Sequence, residues 1–350
     1  YLGECSSSYK IAFYQDEFRY CRQRFDFINQ NNINCVYTLL EPDYFKEVYR
    51  KYTNVSKLVY TLPGYFNDHL LKNAERLEKS YDEREIDIGY RGRQLPFYCG
   101  KGGQEKHEIG VLFRQKAAGL DLKIDIETDE YKRIYGSSWY RFLSNCRAVL
   151  GVEAGVSIFD LEDKVRLECE NILRKKPRTS FPELSKIILN QRENNIYYRT
   201  ISPRHFESAV FRVSQILFEG KYSGIMRPMV HYLPLKKDFS NFDEVVKQFK
   251  NKSLWREITE NAYNDLIASG RYSYQRFIEE FDRELVKEGF QPVISVDDSE
   301  TVTPLLAEGQ KFRVLYGRVK AFRHKRFPGR KLFVGEVRAF LQRMGIRKNY

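Results

Sequence analysis

The sequence predicts an α/β protein built on parallel β-sheets. Short β-rich runs alternate with helical patterns along most of the chain, which is typical of parallel sheets. Hydrophobic residues make up 42% and aromatic residues 15% of the 350 residues, so the chain can bury a sizeable core. No apolar run approaches the roughly 20 residues that a membrane-spanning helix needs, which excludes an integral membrane protein.

Residues 1–84 contain a β-α-β-α-β pattern. The predicted strands and the helical patterns between them lie, in order, at 10–14, 18–30, 35–39, 43–51 and 57–62. This pattern amounts to half of a doubly wound domain, so we expect the first strands to lie upstream of residue 1. We expect residues 1–84 to form the later half of a first Rossmann-like domain and a hinge.

A second alternating series predicts another Rossmann-like domain over residues 85–240. Its predicted strands lie at 86–90, 122–127, 148–152, 197–201 and 232–235. Helical patterns separate these strands, and one of them predicts a single long helix over 203–219. Three further helices are predicted within 241–290, and we expect them to pack back on the body.

The positive charge of the chain is concentrated at its end. The formal net charge is +12, and residues 311–350 carry 13 Lys and Arg against a single acid, Glu336, which accounts for the whole excess. We therefore predict an acidic linker and a basic amphipathic tail over 291–350. Such a tail suits an anionic membrane surface, nucleic acid, another subunit or plain solvation. Because the positive and negative charges of residues 1–310 balance, nucleic-acid binding is the less favoured interpretation.

Cysteine and histidine patterns indicate neither disulfides nor a metal site. The six cysteines are scattered and form no C-x-x-C, which favours reduced residues in a cytosolic protein. The five histidines have no zinc-binding spacing, and there is no D-x-D triplet. We expect no metal and no cofactor.

Several residues lie just after predicted strands, where open parallel sheets bind ligands. Arg91 and Arg93 flank a glycine after the first strand of the second series, and their guanidinium groups suit a phosphate. Residues 100–103 (Gly-Lys-Gly-Gly) open a helix and are a weak anion signal. Glu153 and Gly155 follow another strand, where a ligand or a simple turn would fit equally well.

The run from Ser202 to Glu207 reads as the start of a helix. Ser202 suits an N-cap, and Arg204 would reach a phosphate. Glu207 would hold two neighbouring ribose hydroxyls or merely complement the helix dipole. Asp16 and Glu17 follow the first strand and are candidates for a general base, although capping by Asp16 is an alternative.

Five segments together resemble a bacterial group of GT-B-fold glycosyltransferases. They are IDIGYRGR (86–93), YGSSWYRFLSNCRAVLGVEAGVSIFD (135–160), SPRHFE (202–207), FEGKYSGI (218–225) and HYLPLKKDFSN (231–241). The group is related to the glycosyl transferases group 1 family and to spore-maturation-type glycosyltransferases. The resemblance covers about residues 10–285.

The resemblance implies two Rossmann-like domains and metal-independent transfer of a sugar from a nucleotide-diphosphate donor. It implies that Glu207 holds the donor ribose and that Arg91, Arg93 and Arg204 meet the diphosphate. Many relatives place a second acid eight residues after the first, where this chain has Gln215. The expected acceptor is a cell-envelope saccharide or a lipid-linked molecule, and the expected location is cytoplasmic, peripheral at the inner face of the membrane. A nucleic-acid-binding protein and an inactive GT-B-like scaffold are the alternatives.

Overall fold

The computed structural model describes residues 8–290. The described residues up to Phe281 belong to one compact unit, and a second unit begins at Asp282. The predicted linker and tail over 291–350 lie outside the described residues. No helix within the described part is long and apolar enough to cross a membrane.

The first sheet has three parallel strands in the order β1-β2-β3. These strands are β1 (Ile11–Phe13), β2 (Cys35–Thr38) and β3 (Lys57–Tyr60). Helix α1 (Cys21–Gln30) connects the first two strands and buries Phe25 and Ile28 on one face. The segment predicted as helical over 43–51 is helical in the structure, as a 3₁₀ helix (Pro42–Tyr44) followed by a π-helix (Lys46–Arg50) instead of an α-helix.

The second sheet has five parallel strands in the order β10-β9-β6-β4-β5. They are β4 (Ile86–Arg91), β5 (Ile124–Glu127), β6 (Cys146–Gly151), β9 (Ser214–Phe218) and β10 (Leu233–Leu235). Helix α2 (Asp68–Arg76) precedes this sheet, and α3 (Gly100–Lys116) and α4 (Ser137–Ser144) flank it. Two parallel sheets flanked by helices confirm the predicted α/β class.

The prediction of a single long helix over 203–219 is wrong. Helix α7 (Pro203–Val210) ends at a turn in which Arg212 takes a positive φ of 49°, and β9 follows. All five residues of β9 are buried between two neighbouring strands. A buried parallel strand is a short continuous apolar run, which periodicity alone does not distinguish from buried helix.

The predicted strand at 197–201 exists but does not join the main sheet. Strand β8 (Tyr198–Thr200) pairs antiparallel with β7 (Ala154–Val156) as a separate two-stranded sheet, the β7–β8 hairpin. The connection between them contains α5 (Lys164–Lys175) and α6 (Phe181–Leu184). One hydrophobic cluster joins this connection to the first sheet, so residues on both sides of position 84 share a core.

The last helices pack on both sheets. Helix α8 (Phe242–Lys250) and helix α9 (Lys252–Tyr263) bury apolar residues in the core of the second sheet. Helix α10 (Tyr274–Lys287) places Phe277 beside the first sheet, with its ring 6.3 Å from those of Phe13 and Tyr37. The five cysteines within 8–290 are buried, as the sequence predicts for core residues.

Candidate anion-binding cleft

A cleft of about 370 Å³ opens at the carboxyl ends of β4 and β6. The first half of α7 and the segment after β1 complete its walls. Among residues 8–290, six cationic residues but a single acidic one, Asp16, line it; the cations are Arg19, Arg91, Arg93, Lys106, Arg133 and Arg204. Such an excess of one charge in a concave site favours an anionic ligand.

Lys106 is the cation that the sequence analysis missed. It lies on α3, and no ion pair to it is formed within the described part of the chain. Burial, followed by the positive charge of Arg204, lowers the pKa of the Lys106 ammonium to about 8. An incompletely compensated lysine facing a cleft is a candidate ligand contact. The only sequence signal for it is the glycine run at 100–103, one turn upstream.

Arg204 and Arg91 lie at opposite ends of a stack of two aromatic rings. The guanidinium carbon of Arg204 lies 4.9 Å from the ring centroid of Trp139, and that of Arg91 lies 4.4 Å from Phe142. The two rings are stacked at 5.6 Å. Arg204 also donates a hydrogen bond to the backbone oxygen of Arg91, so its predicted position beside the cleft is realised.

Two nitrogens of the Arg91 guanidinium are hydrogen-bonded within the protein. The guanidinium donates to a carboxylate oxygen of Asp125 on β5 at 2.8 Å and to the Asp125 backbone oxygen at 2.9 Å. These bonds hold the Arg91 side chain at the edge of the sheet, although it also lines the cleft and its Nε has no hydrogen-bond partner among the described residues. Arg93 remains at the rim of the cleft, half-exposed and 3.6 Å from Glu130.

Glu207 lies behind Trp139 instead of lining the cavity itself. The indole N–H of Trp139 donates to Oε2 of Glu207 at 2.7 Å. Burial raises the pKa of the Glu207 carboxyl, while the hydrogen bond from Trp139 and the charge of Arg204 lower it. Its second oxygen, Oε1, accepts no hydrogen bond from the described residues, so half of the carboxylate is open to a ligand.

Glu153 is occupied by a buried ion network. Its carboxylate accepts from the Tyr222 backbone N–H at 2.8 Å and the Tyr197 hydroxyl at 3.0 Å, and one oxygen lies 3.2 Å from Nε of Arg199. Arg199 also forms a two-pronged pair with Glu105. Glu153 thus lies in a buried ion network and does not line the cleft, and its role in donor binding stays a prediction.

Gly155 lines the cleft and also shapes the β7–β8 hairpin. It adopts a positive φ of 94°, and an added Cβ atom would overlap the backbone oxygen of Tyr198 on the paired strand. Both effects exclude a side chain here.

We therefore expect Gly155→Ala to lower the free energy of unfolding by at least about 1–3 kcal/mol, the usual cost of a strained backbone. Chemical denaturation followed by circular dichroism measures it. Gly119→Ala is the control for φ strain alone, because Gly119 has φ 86° and no atom within 4 Å of an added Cβ. If both variants lost the same free energy of unfolding, the clash with the Tyr198 oxygen would not contribute.

Glu17, the other general-base candidate, is completely buried, and both of its carboxylate oxygens accept hydrogen bonds. Its carboxylate accepts from the Leu39 N–H at 2.9 Å and the Tyr198 hydroxyl at 3.0 Å. Thr38 and Tyr49 donate to its other oxygen. Burial raises the pKa of Glu17. Asp16, with a positive φ of 53°, instead turns its exposed carboxylate to the cleft, 3.9 Å from Arg19.

Gln215 stands where many relatives have a second acid, and it forms part of the cleft wall. It is buried on β9, and its Nε2 donates to the backbone oxygen of His205 at 3.2 Å while its Oε1 lies 2.9 Å from Nδ1 of that histidine. Burial lowers the pKa of His205 to about 4, so the imidazole is neutral at pH 7. Neither residue adds charge to the cleft.

Among residues 8–290 no group of three His, Cys, Asp or Glu side chains is arranged to hold a metal ion. Asp16, the acid lining the cleft, has no second carboxylate beside it there.

Comparison with known proteins gives structural similarities only. No protein-family model and no curated protein matches the sequence. TarM superposes with a TM-score of 0.43 at 14% identity over 79% of this chain, which spans only half the length of TarM. Sucrose-phosphate synthase from Thermosynechococcus elongatus gives 0.42 at 11% identity, over 79% of this chain and 68% of that one. Anabaena HepE, solved with UDP and glucose, superposes with a TM-score of 0.44 at 9% identity. The match covers 79% of this chain and 71% of HepE. At these scores the similarities do not decide the function.

Proposed function

We propose that this protein is a glycosyltransferase that binds a nucleotide-diphosphate sugar in the cationic cleft. The observation that carries the proposal is the position of Lys106 and Arg204 in a cleft with a single carboxylate at the carboxyl ends of two parallel strands. A diphosphate supplies the negative charge that Lys106 lacks. The crevice beyond the carboxyl ends of parallel strands is where such sheets bind nucleotides.

The lining residues suit the departure of a nucleoside diphosphate. Lys106, Arg204 and Arg93 would contact its phosphate oxygens, and positive charge fixed in advance stabilises the negative charge that develops as the sugar leaves. Glu207 would accept hydrogen bonds from the ribose through its open oxygen. Asp16 is the acid available to remove a proton from the acceptor hydroxyl.

The remaining parts of the proposal rest on the sequence resemblance. They are a GT-B arrangement of the two sheets, transfer without a metal ion and an acceptor that is a cell-envelope saccharide or a lipid-linked molecule. A cytoplasmic location with peripheral attachment to an anionic membrane depends on residues 311–350, which lie outside the described part of the chain. The nucleic-acid alternative depends on the same residues.

The proposal is tested by calorimetry with a panel of UDP- and GDP-sugars and with the free diphosphates. Binding of at least one sugar nucleotide, followed by its hydrolysis or by transfer to an added saccharide, supports a glycosyltransferase. Binding without either reaction would favour an inactive scaffold. Flat titrations with the whole panel would overturn the proposal.

Glu207→Ala should weaken binding of the nucleoside diphosphate about 10-fold, because a hydrogen bond to a charged group is worth about 1.5–3 kcal/mol and part of it is replaced by water. The melting temperature should change little. The matched control is Glu219→Ala, which removes an exposed acid that does not line the cleft. Equal affinities for the two variants would exclude Glu207 from the donor site.

A further inference from the structure

Trp139 contacts both residues of α7 that the proposed function assigns to the donor. It belongs to the first turn of α4, where the Trp139 backbone N–H donates to the Gly136 oxygen at 3.0 Å. Its ring face lies against Arg204, and its indole N–H is bonded to Glu207. Arg204 and Glu207 are three residues apart on one face of α7, so one side chain touches a pair of neighbours.

Opposite charges at this spacing normally attract each other. A pair such as Arg204 and Glu207 would be expected to form an ion pair across one helical turn. The described residues contain no such pair, because Arg204 donates to the Arg91 backbone oxygen and Glu207 accepts from Trp139 instead. The indole therefore gives each charge a different partner and keeps both from neutralising one another.

The two contacts of Trp139 are chemically distinct. The ring face attracts the guanidinium through its π electrons and leaves its edge free, so that one N–H donates to the Arg91 backbone oxygen and the others can reach a ligand. The indole nitrogen is a donor only, so it fixes Oε2 of Glu207 and leaves Oε1 as an acceptor. The first contact orients a phosphate-binding cation, and the second orients a hydroxyl-binding carboxylate.

The support beneath Trp139 is rigid. Its ring stacks on Phe142, which is buried, and Phe142 in turn carries the guanidinium of Arg91. Arg91 is held by Asp125 on the edge strand. The orientation of the indole is thus set by contacts within the second sheet.

We propose that Trp139 is a positioning residue that keeps Arg204 and Glu207 apart and aims them at the diphosphate and the ribose hydroxyls of one ligand. This inference rests on the proposed function. It predicts that the two contacts can be removed separately, because phenylalanine retains an aromatic face but has no N–H, whereas leucine has neither.

The test compares three probes by calorimetry: UDP and GDP, their 2′,3′-dideoxy analogues, and inorganic pyrophosphate. Wild type should prefer the ribose forms over the dideoxy forms about 10-fold, the value of one hydrogen bond to a carboxylate. Trp139→Phe should lose most of this preference and keep its affinity for pyrophosphate. Trp139→Leu should weaken the binding of all three probes, since Arg204 is then free to pair with Glu207.

Two controls separate positioning from simple loss of structure. Trp255→Phe changes the other of the two tryptophans, which donates to the Arg147 backbone oxygen away from the cleft, and should leave all affinities unchanged. In that background Trp139 is the only tryptophan, so its fluorescence should change when UDP or GDP binds. In a double-mutant cycle, Trp139→Phe should add little to Glu207→Ala.

The outcomes distinguish the two proposals. If wild type prefers ribose and Trp139→Phe keeps the full preference, Trp139 does not position Glu207 and the inference fails while the proposed function stands. An unchanged Trp139 emission on saturation with a bound diphosphate would also overturn it. If wild type binds none of the probes, both proposals fall.

Discussion

Replacing Lys106 with methionine should weaken binding of a nucleoside diphosphate about 10- to 100-fold and at the same time raise the stability of the protein. The loss of affinity follows from removing one charge-assisted contact to phosphate, worth about 1.5–3 kcal/mol. The gain in stability follows because burial lowers the pKa of this lysine from its usual 10.5 to about 8. Keeping it charged at pH 7 therefore costs on the order of 3 kcal/mol, which methionine of similar shape avoids.

Calorimetry with UDP and GDP and thermal unfolding of the free protein measure the two effects. Lys101→Met is the matched control, because Lys101 lies on the same helix but is exposed and does not line the cleft. It should change neither quantity appreciably. Unaltered affinity in Lys106→Met would mean that the ammonium does not reach the phosphates.

The same lysine gives the binding a pH dependence. Only the charged ammonium attracts phosphate, and Lys106 loses its proton as the pH rises through about 8. Affinity of the wild type should therefore fall above pH 8, and binding there should take up a proton, because a bound dianion raises the pKa of the lysine. The Lys106→Met variant should lack this component. Titrations in buffers of different ionisation enthalpy measure the proton uptake.

Arg199→Met should be the most damaging change to stability, lowering the free energy of unfolding by about 3–5 kcal/mol, as is usual when one partner of a buried ion pair is removed. Arg199 lies between Glu105 and Glu153, and all three side chains are at least nine-tenths buried. Without it, the only cation within the described part of the chain that still pairs with either carboxylate is Lys237, 2.7 Å from Glu105. Glu153 would keep two neutral donors but no positive charge.

Urea denaturation measures the loss, and two further variants test its cause. Lys252→Met removes an exposed ion pair with Asp82 and should have no measurable effect. Adding Glu153→Gln to Arg199→Met should restore part of the stability, because the amide still accepts from Tyr222 and carries no charge. Additive losses in the double variant would contradict the electrostatic cause.

The sequence predicts the strands well where each is a separate β-rich run bounded by turns. It fails at β9, whose run SQILF follows α7 after only a few residues and continues its apolar pattern. The error has a physical origin, since a strand between two others presents apolar residues to both faces. The turn at Arg212 is the only local break, and arginine is not a typical turn residue.

The candidate site was predictable only where side chains extend from strand ends. Arg93 and Arg204 lie at the cleft as expected, whereas Lys106 was missed because α3 buries residues on several faces and shows no clear polar side. In the sequence, Glu17 is a candidate general base and Glu153 a candidate ligand contact. Their hydrogen bonds come from residues such as Tyr198 and Tyr222, far along the chain, and no local pattern indicates such distant donors.

The buried hydrogen bond between Glu17 and Tyr198 joins two walls of the cleft and so bears on how the proposed ligand would enter. The hydroxyl of Tyr198 donates to the Glu17 carboxylate and accepts a hydrogen bond from the Glu17 backbone N–H. The wall that carries Asp16 is therefore attached to the β7–β8 hairpin. Parting those walls would expose a carboxyl group that accepts four hydrogen bonds in the interior. We therefore expect the proposed donor to enter at the rim, where Arg93 and Glu130 are half-exposed and 3.6 Å apart.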